Sequence, residues 1–321
     1  MDRSIDVVIP AFNAERYLER AVESVLGLGR AGLRAIIVDD GSTDGTATIA
    51  QRFADREPDC CRLLRSDRNR GVSAARNRGI EAATATWVAF LDADDYYLPN
   101  RFDAFDALPD SDLDRLDGLY QSTRILGAAV SDLDGGNDDA SIFGIQQPLT
   151  GVALLAELLT GYCWATSGIV VRRSLLSRCR GFDPARKIAE DCHLWFRLAS
   201  FGALRAGSLD APVSVYWRHE QNTFLPRIEH RVPMLDAMLD AWAFAQGQRA
   251  APAVLQTFAA AVPGYALRSI IAAREAHAPA VARRLLLMLA RTRLRAALRM
   301  PFLRQAWALL RARQPVAAGA R

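Results

Sequence analysis

The chain has 321 residues, half of them hydrophobic, and a formal net charge of +4. That is enough apolar material to bury a large core without a disulfide or metal staple. Its five cysteines (Cys60, Cys61, Cys163, Cys179, Cys192) are odd in number and lack CxxC spacing. They read as reduced thiols, and four scattered histidines add no cluster that would make a structural zinc site. No run of about eighteen uncharged apolar residues occurs, and the N-terminus enters a strand-like segment without a signal-peptide pattern, so a cytoplasmic chain is expected.

Ile5-Asp6-Val7-Val8-Ile9-Pro10 is a β-branched run stopped by proline, and Leu33 to Val38 is a second, ending at Asp39-Asp40-Gly41-Ser42. Between them 14–28 reads as a helix. Leu18, Ala21, Val22, Val25 and Leu26 form its buried stripe, with Asn13 as N-cap. The alternation continues with a helix over 46–56, capped by Ser42 or Thr43, a strand over 61–66, a helix over 73–83 and a strand over 86–91.

This order predicts an open, mostly parallel sheet flanked by helices, with a ligand crevice outside the C-terminal strand ends. Asp39-Asp40 and Asp92-Ala93-Asp94-Asp95 both fall there, at what the pattern suggests are adjacent strands.

From 110 to 148 the pattern weakens, and 131–139 reads as an exposed loop. A helix over 151–159, a strand over 167–171, a short helix over 175–180 and a helix over 189–201 follow. The last opens with Glu190-Asp191, which suits the positive end of its dipole. Beyond Pro226 the strand signals cease, and helices separated by Pro252, Pro263, Pro279 and Pro301 are expected. The division drawn is a domain over 1–225, split near 110, and a helical region over 226–321. Between Arg283 and Arg313 lie nine arginines and no acid, interleaved with apolar residues at helical spacing. Such a segment can lie on an anionic membrane, or pack on the domain with its arginines in solvent. No nucleic-acid reader motif accompanies the charge.

Four motifs stand in register: Val8-Ile9-Pro10-Ala11-Phe12-Asn13, Val38-Asp39-Asp40-Gly41-Ser42, Phe90-Leu91-Asp92-Ala93-Asp94-Asp95, and Glu190-Asp191. With Asn69 to Asn77 and Tyr216-Trp217-Arg218-His219, they resemble the family-two glycosyltransferases of GT-A fold over about residues 4–222. The resemblance implies a Rossmann-like α/β fold with an α-helical C-terminal extension. It also implies transfer of a sugar, with inversion, from a nucleoside-diphosphate sugar to a glycan, glycolipid or lipid-linked acceptor. Uridine is the first candidate base.

Asp92 and Asp94 are separated by one residue in a turn. In isolation they would read as loop caps. Clustered with Asp95 at a buried strand end, they suit a hard divalent cation, Mn2+ or Mg2+, that neutralises a departing diphosphate. The resemblance makes Asp94 the more direct metal ligand and places His219 near the metal or diphosphate. It puts Pro10, Ala11 and Phe12 at the wall of the nucleotide pocket and Asp39 and Asp40 against the base, with Asp40 accepting a uracil imide N–H. Gly41 permits close backbone approach. Asn69 and Arg76 are further donor-side candidates, Arg76 toward a phosphate or a nearby aspartate.

Asp191 occupies the family's Glu-Asp position and is the candidate base for the acceptor hydroxyl. A single base with no second catalytic carboxylate favours direct displacement. Trp164, with Tyr162 and Ser167, precedes the strand at the acceptor side in the family arrangement, where an aromatic platform suits a sugar, though a core tryptophan is the simpler reading; Glu190 is a further acceptor-side candidate. Two rival classes are weighed. A sugar-phosphate nucleotidyltransferase would open with a glycine-rich basic loop, absent from Pro10-Ala11-Phe12-Asn13. A non-catalytic relative would have lost Asp94 or Asp191, and both are present.

Overall fold

A computed structural model of the chain describes residues 2–127, 142–219 and 227–291. The elements are, in order, β1 (Ile5–Ala11), α1 (Leu18–Leu26), β2 (Leu33–Asp39), α2 (Thr46–Arg56), β3 (Cys61–Arg65), α3 (Val72–Ala82), β4 (Trp87–Phe90) and β5 (Tyr96–Tyr97). Then come α4 (Asp103–Asp106), α5 (Asp110–Leu113), β6 (Gly118–Tyr120), β7 (Thr123–Gly127), β8 (Ile142–Phe143), α6 (Gly151–Leu158), β9 (Ile169–Arg172) and α7 (Arg173–Arg178). The chain continues through α8 (Glu190–Phe201), β10 (Leu204–Ala206), β11 (Ser214–Arg218), α9 (Arg231–Gly247), α10 (Pro252–Glu275) and α11 (Pro279–Arg291).

Seven strands form the main sheet in the order β10-β6-β9-β4-β1-β2-β3. It is parallel except for β9, which runs antiparallel to both β4 and β6. All seven residues of β1 are buried, as a central strand covered on both faces requires. The two acidic turns therefore do not leave adjacent strands: β1 lies between β2 and β4, and their ends flank its own.

A second sheet, β5-β11-β7-β8, sits beside the first and brings the late residues 214–218 to the turn after β4. Its strands β7 and β8, like β6 of the main sheet, fall where the sequence pattern weakens. β6 and β8 are three and two residues long, too short to display an alternation, and the five residues of β7 run straight on in the chain from Gln121-Ser122. The loop expected over 131–139 lies outside the described residues.

Three helix expectations are corrected. The first helix begins at Leu18, because residues 14–17 form a turn in which the N–H groups of Tyr17 and Leu18 both reach the Ala14 carbonyl. Asn13 is not its cap: at φ 49° it turns its Oδ1 to the Thr43 N–H at 2.9 Å. Likewise neither Ser42 nor Thr43 caps α2; Asp44 Oδ1 takes the Thr46 N–H at 3.0 Å, and Ser42 Oγ takes that of Asn13. The third correction is at Pro263, which does not separate helices but lies inside α10. Proline has no N–H to give the Ala259 carbonyl, yet the helix continues because Val254, Phe258, Val262, Ala266 and Ile270 are buried around it.

The helices after β11 share one core with the earlier domain. Leu235, Met238, Phe258, Ile270, Leu285 and Leu289 join Trp164, Trp195 and Leu198 in a single apolar cluster. Each such side chain contributes about 1.5–3 kcal/mol when fully buried. By length and composition α10 could cross a membrane. Here it packs against α9, α11 and α6.

Candidate active site

The strand ends present the site as the βαβ pattern requires. Asp39 is fully buried: Oδ1 accepts the Ser42 N–H at 3.0 Å, and Arg65 Nε lies 3.3 Å from Oδ2. Asp40 Oδ2 accepts the N–H groups of both Arg70 and Gly71 at 2.8 Å. Asn69 Oδ1 accepts the same Gly71 N–H at 2.8 Å, so the 69–71 loop is folded onto the end of β2. Gly41 is needed for that fold: at φ +75° an added Cβ would stand 2.6 Å from the Arg68 carbonyl carbon. The close approach at Gly41 is thus to the chain's own loop. Pro10 and Ala11 are buried within β1, while Phe12 is 45% exposed at its mouth, an orientation suited to a pocket wall rather than to core packing.

The turn after β4 is held by its last aspartate. Asp95 is buried, accepts from Ser167 Oγ at 2.7 Å and from the Trp217 N–H at 3.1 Å, and so ties the turn to β9 and β11. Burial and then the charges of Asp94 and Asp92 push its carboxyl well above the usual range. Asp94 faces His219, whose Nε2 lies 3.0 Å from Oδ2. Burial and Asp92 raise the Asp94 carboxyl, and the hydrogen bond to His219 opposes them. Tyr17 stacks on the His219 ring with centroids 4.6 Å apart. Arg20 donates to the Asp94 carbonyl at 2.9 Å from between the rings of Tyr96 and Trp217. Two carboxylates from the turn after β4, with the imidazole that follows β11 against one of them, offer donors of the chemistry a hard divalent cation takes.

The two halves of the site meet at Arg76. Its Nη2 reaches Asp92 Oδ1 at 2.6 Å and its Nη1 reaches Glu190 Oε1 at 3.2 Å, with the guanidinium over the Phe182 ring. Burial works against this charge, but Asp92 and Glu190 outweigh it and raise the Arg76 pKa. Glu190 is pushed up to about 7 by burial and by Asp191, against the pull of Arg76. Asp191 is raised by burial, with its Oδ1 accepting the Cys192 N–H at 2.6 Å.

Of the residues singled out in the sequence, Asp94 pairs with His219, and Arg76 links Asp92 to Glu190, the neighbour of Asp191. Asp39, Asp40 and Asn69 lie at the neighbouring strand end. Trp164 is corrected: it is fully buried, stacked on Tyr120 at 5.0 Å and beside Trp195 at 5.6 Å, so it offers no face to a sugar. Tyr162 is 53% exposed. Sequence reasoning missed Arg20, on α1, which reaches the turn after β4, and Tyr17, the residue before α1, which stacks on His219; neither carries a motif of its own.

The glycosyl transferase family 2 model matches residues 6–105. An uncharacterized glycosyltransferase of Nostoc sp. strain PCC 7120 is 30% identical over 228 residues, covering 69% of this chain and 66% of its own length. The chain belongs to glycosyltransferase family 2. The succinoglycan biosynthesis protein ExoO of Rhizobium meliloti is 28% identical over 75% of this chain and 68% of its own length. The chain thus spans about two thirds of the length of these two relatives. Among solved structures, S. aureus TarS in complex with UDP aligns with a TM-score of 0.56 at 17% identity, over 88% of this chain and 90% of the other, and shares the GT-A fold. The family-2 match ends at residue 105, before Glu190, Asp191 and His219.

Proposed function

We propose that this family-2 protein transfers a sugar from a nucleoside-diphosphate sugar, uridine diphosphate first among them, to a hydroxyl of a glycan, glycolipid or lipid-linked acceptor, with inversion. The observation that carries the reading is that Arg76 ties Asp92, two residues before the Asp94 that pairs with His219, to Glu190, the residue before Asp191. It supplies a cation-binding end and a proton-accepting end in one crevice. The UDP in the aligned TarS structure supports the choice of nucleotide, and the succinoglycan biosynthesis in the name of ExoO supports a polysaccharide as product.

In this reading Asp40 and Phe12 seat the base, and Asp92, Asp94 and His219 hold Mn2+ or Mg2+. That cation supplies charge neutralisation for the departing diphosphate. Asp191, its proton affinity raised by burial, takes the proton of the acceptor hydroxyl as the oxygen attacks the anomeric carbon from the face opposite the diphosphate. Arg76 keeps Asp92 and Glu190 in place. One displacement with one base inverts the centre.

A cytoplasmic location, where nucleotide sugars are made, accords with this chemistry. So does peripheral contact with an anionic membrane through 281–313: Arg283 and Arg284 are exposed on α11, and so is Leu287. The remainder of that stretch, from 292, lies outside the described residues.

The test is calorimetric binding of UDP, GDP, dTDP and CDP with and without Mn2+, on the wild type and on Asp94→Ala, followed by donor turnover with envelope-glycan acceptors on Asp191→Asn. Metal-dependent binding of one nucleotide, lost in Asp94→Ala, with turnover lost but binding kept in Asp191→Asn, is the expected result. Nucleotide binding indifferent to both metal and Asp94 would remove the cation from the reading, and turnover surviving in Asp191→Asn would remove the base.

A further inference from the structure

Two cysteines that the sequence leaves 29 positions apart meet beside the proposed base. Cys163, in the segment after α6, and Cys192, in the first turn of α8, bring their Sγ atoms to 2.9 Å. Both thiols are free and buried. The carboxylate of Asp191 completes the group: one ligand atom from each of the three residues falls within 4.8 Å of the others. Both cysteines belong to the apolar cluster that contains Trp164, the fully buried residue directly after Cys163, while the preceding Tyr162 is half-exposed. The group therefore has an apolar surround and lies one residue from solvent.

We propose that Cys163, Cys192 and Asp191 form a binding site for a thiophilic divalent cation such as Zn2+ or Cd2+, separate from the Asp92–Asp94–His219 set. The donor chemistry sorts the two. Oxygen and one imidazole suit Mn2+ or Mg2+, whereas paired sulfurs prefer the softer ions and discriminate against magnesium. At a metal–sulfur distance of about 2.3 Å, tetrahedral coordination needs the two sulfurs about 3.8 Å apart. They have to part by less than about 1 Å, a side-chain rotation rather than a backbone change. Binding replaces two S–H bonds by two metal–sulfur bonds and releases two protons to solvent. The Asp191 carboxylate becomes the third ligand, and the fourth position is left to water. The third ligand also distinguishes this group from a simple cysteine pair: a disulfide would use the sulfurs and leave the carboxylate out.

A consequence rests on the reading of Asp191 as the base. A carboxylate held by the cation is withdrawn from the acceptor hydroxyl, so Zn2+ or Cd2+ inhibits transfer while Mn2+ supports it.

The experiment is Cd2+ titration of the full chain under a phosphine reductant, in a Cys60→Ser background so that the exposed thiol is out of play. The readout is the ultraviolet cadmium–thiolate charge-transfer band. One cation per chain is expected, with the band lost in Cys163→Ser and in Cys192→Ser, unchanged in Cys179→Ser, and the affinity lowered about tenfold or more in Asp191→Asn. Circular dichroism of each variant establishes that the fold is kept. No band in the folded protein, or a band that survives Cys163→Ser, overturns the proposal. So does a disulfide between Cys163 and Cys192 formed with oxidised glutathione in a protein that binds no cadmium when reduced. The band does not depend on turnover. If Asp191→Asn proves active, the base assignment fails while the cation site is judged on the band alone.

Discussion

Arg76 donates to Asp92 at 2.6 Å from a position almost closed to solvent. It sits on α3, a helix of the donor half, yet its other nitrogen pairs with Glu190 at the start of α8. One guanidinium thus joins the turn after β4 to the start of α8, and it does so with a fork that a lysine cannot reproduce.

Replacing Arg76 by alanine is expected to leave two carboxylates facing each other and to destabilise the fold by roughly 2–4 kcal/mol, less than a fully buried stranded ion because Asp92 is partly exposed. Arg76→Lys should recover part of the stability, with only one of the two contacts kept. Urea midpoints of the three proteins, with UDP affinity in parallel, check this; equal midpoints for wild type and Arg76→Ala would show that the bridge contributes nothing.

Asp95 separates charge from shape. Its carboxyl is pushed well above the ordinary range, so it is held toward the neutral form, and an asparagine in its place would still accept from the Trp217 N–H and donate to Ser167 Oγ. Asp95→Asn should therefore stay near wild-type stability. Asp95→Ala strands the Ser167 hydroxyl and the Trp217 N–H and should cost about 2–3 kcal/mol by thermal or urea unfolding.

Gly41→Ala forces a Cβ to 2.6 Å from the Arg68 carbonyl carbon at φ +75°. Strain and displacement of the 68–71 loop together should cost about 1–3 kcal/mol. Because that loop is what Asp40 holds, nucleotide affinity should fall as well, measured by the same calorimetry. A variant of unchanged stability would mean the loop moves away freely.

His193 gives a pH dependence of known sign. Its Nε2 meets Asp240 at 2.7 Å and its Nδ1 faces Arg197 Nη2 at 3.3 Å, an arrangement for the neutral ring with the proton on Nε2. Burial and the charges of Arg197 and Arg186 lower its pKa to about 3, and the opposing charges of Asp183 and Asp236 do not offset them. The folded state therefore refuses a proton that the unfolded chain accepts from 6.5 downward. The stability this contributes is complete above 6.5 and is lost as pH falls toward 3. His193→Gln should flatten the decline of urea midpoint with pH over the upper part of that window; an unchanged slope would assign the decline to the carboxylates.

Much of the donor half is legible because its units are long and repeat. β1, β2, α2 and α3 each span seven to eleven residues, enough for an apolar run or stripe to declare itself. The acidic turns follow at strand ends, where a sheet of this type opens its crevice. The acceptor half is less legible for the opposite reason. β6 and β8 have three and two residues, and their identity comes from partners distant in sequence. Pro263 misled in the same way, since a local rule about proline was outweighed by packing on both sides of α10.

The sequence by itself determined the alternation of strand and helix, the family, and the residue types available at each strand end, because these depend on local periodicity and on motifs read in order. Only the tertiary structure decided that β1 intervenes between the two acidic turns, that Trp164 is core, that Arg76 spans Asp92 and Glu190, and that Cys163 meets Cys192. Each of those is a contact between segments far apart in the chain, and side-chain neighbours at such separations are set by how the layers close on one another.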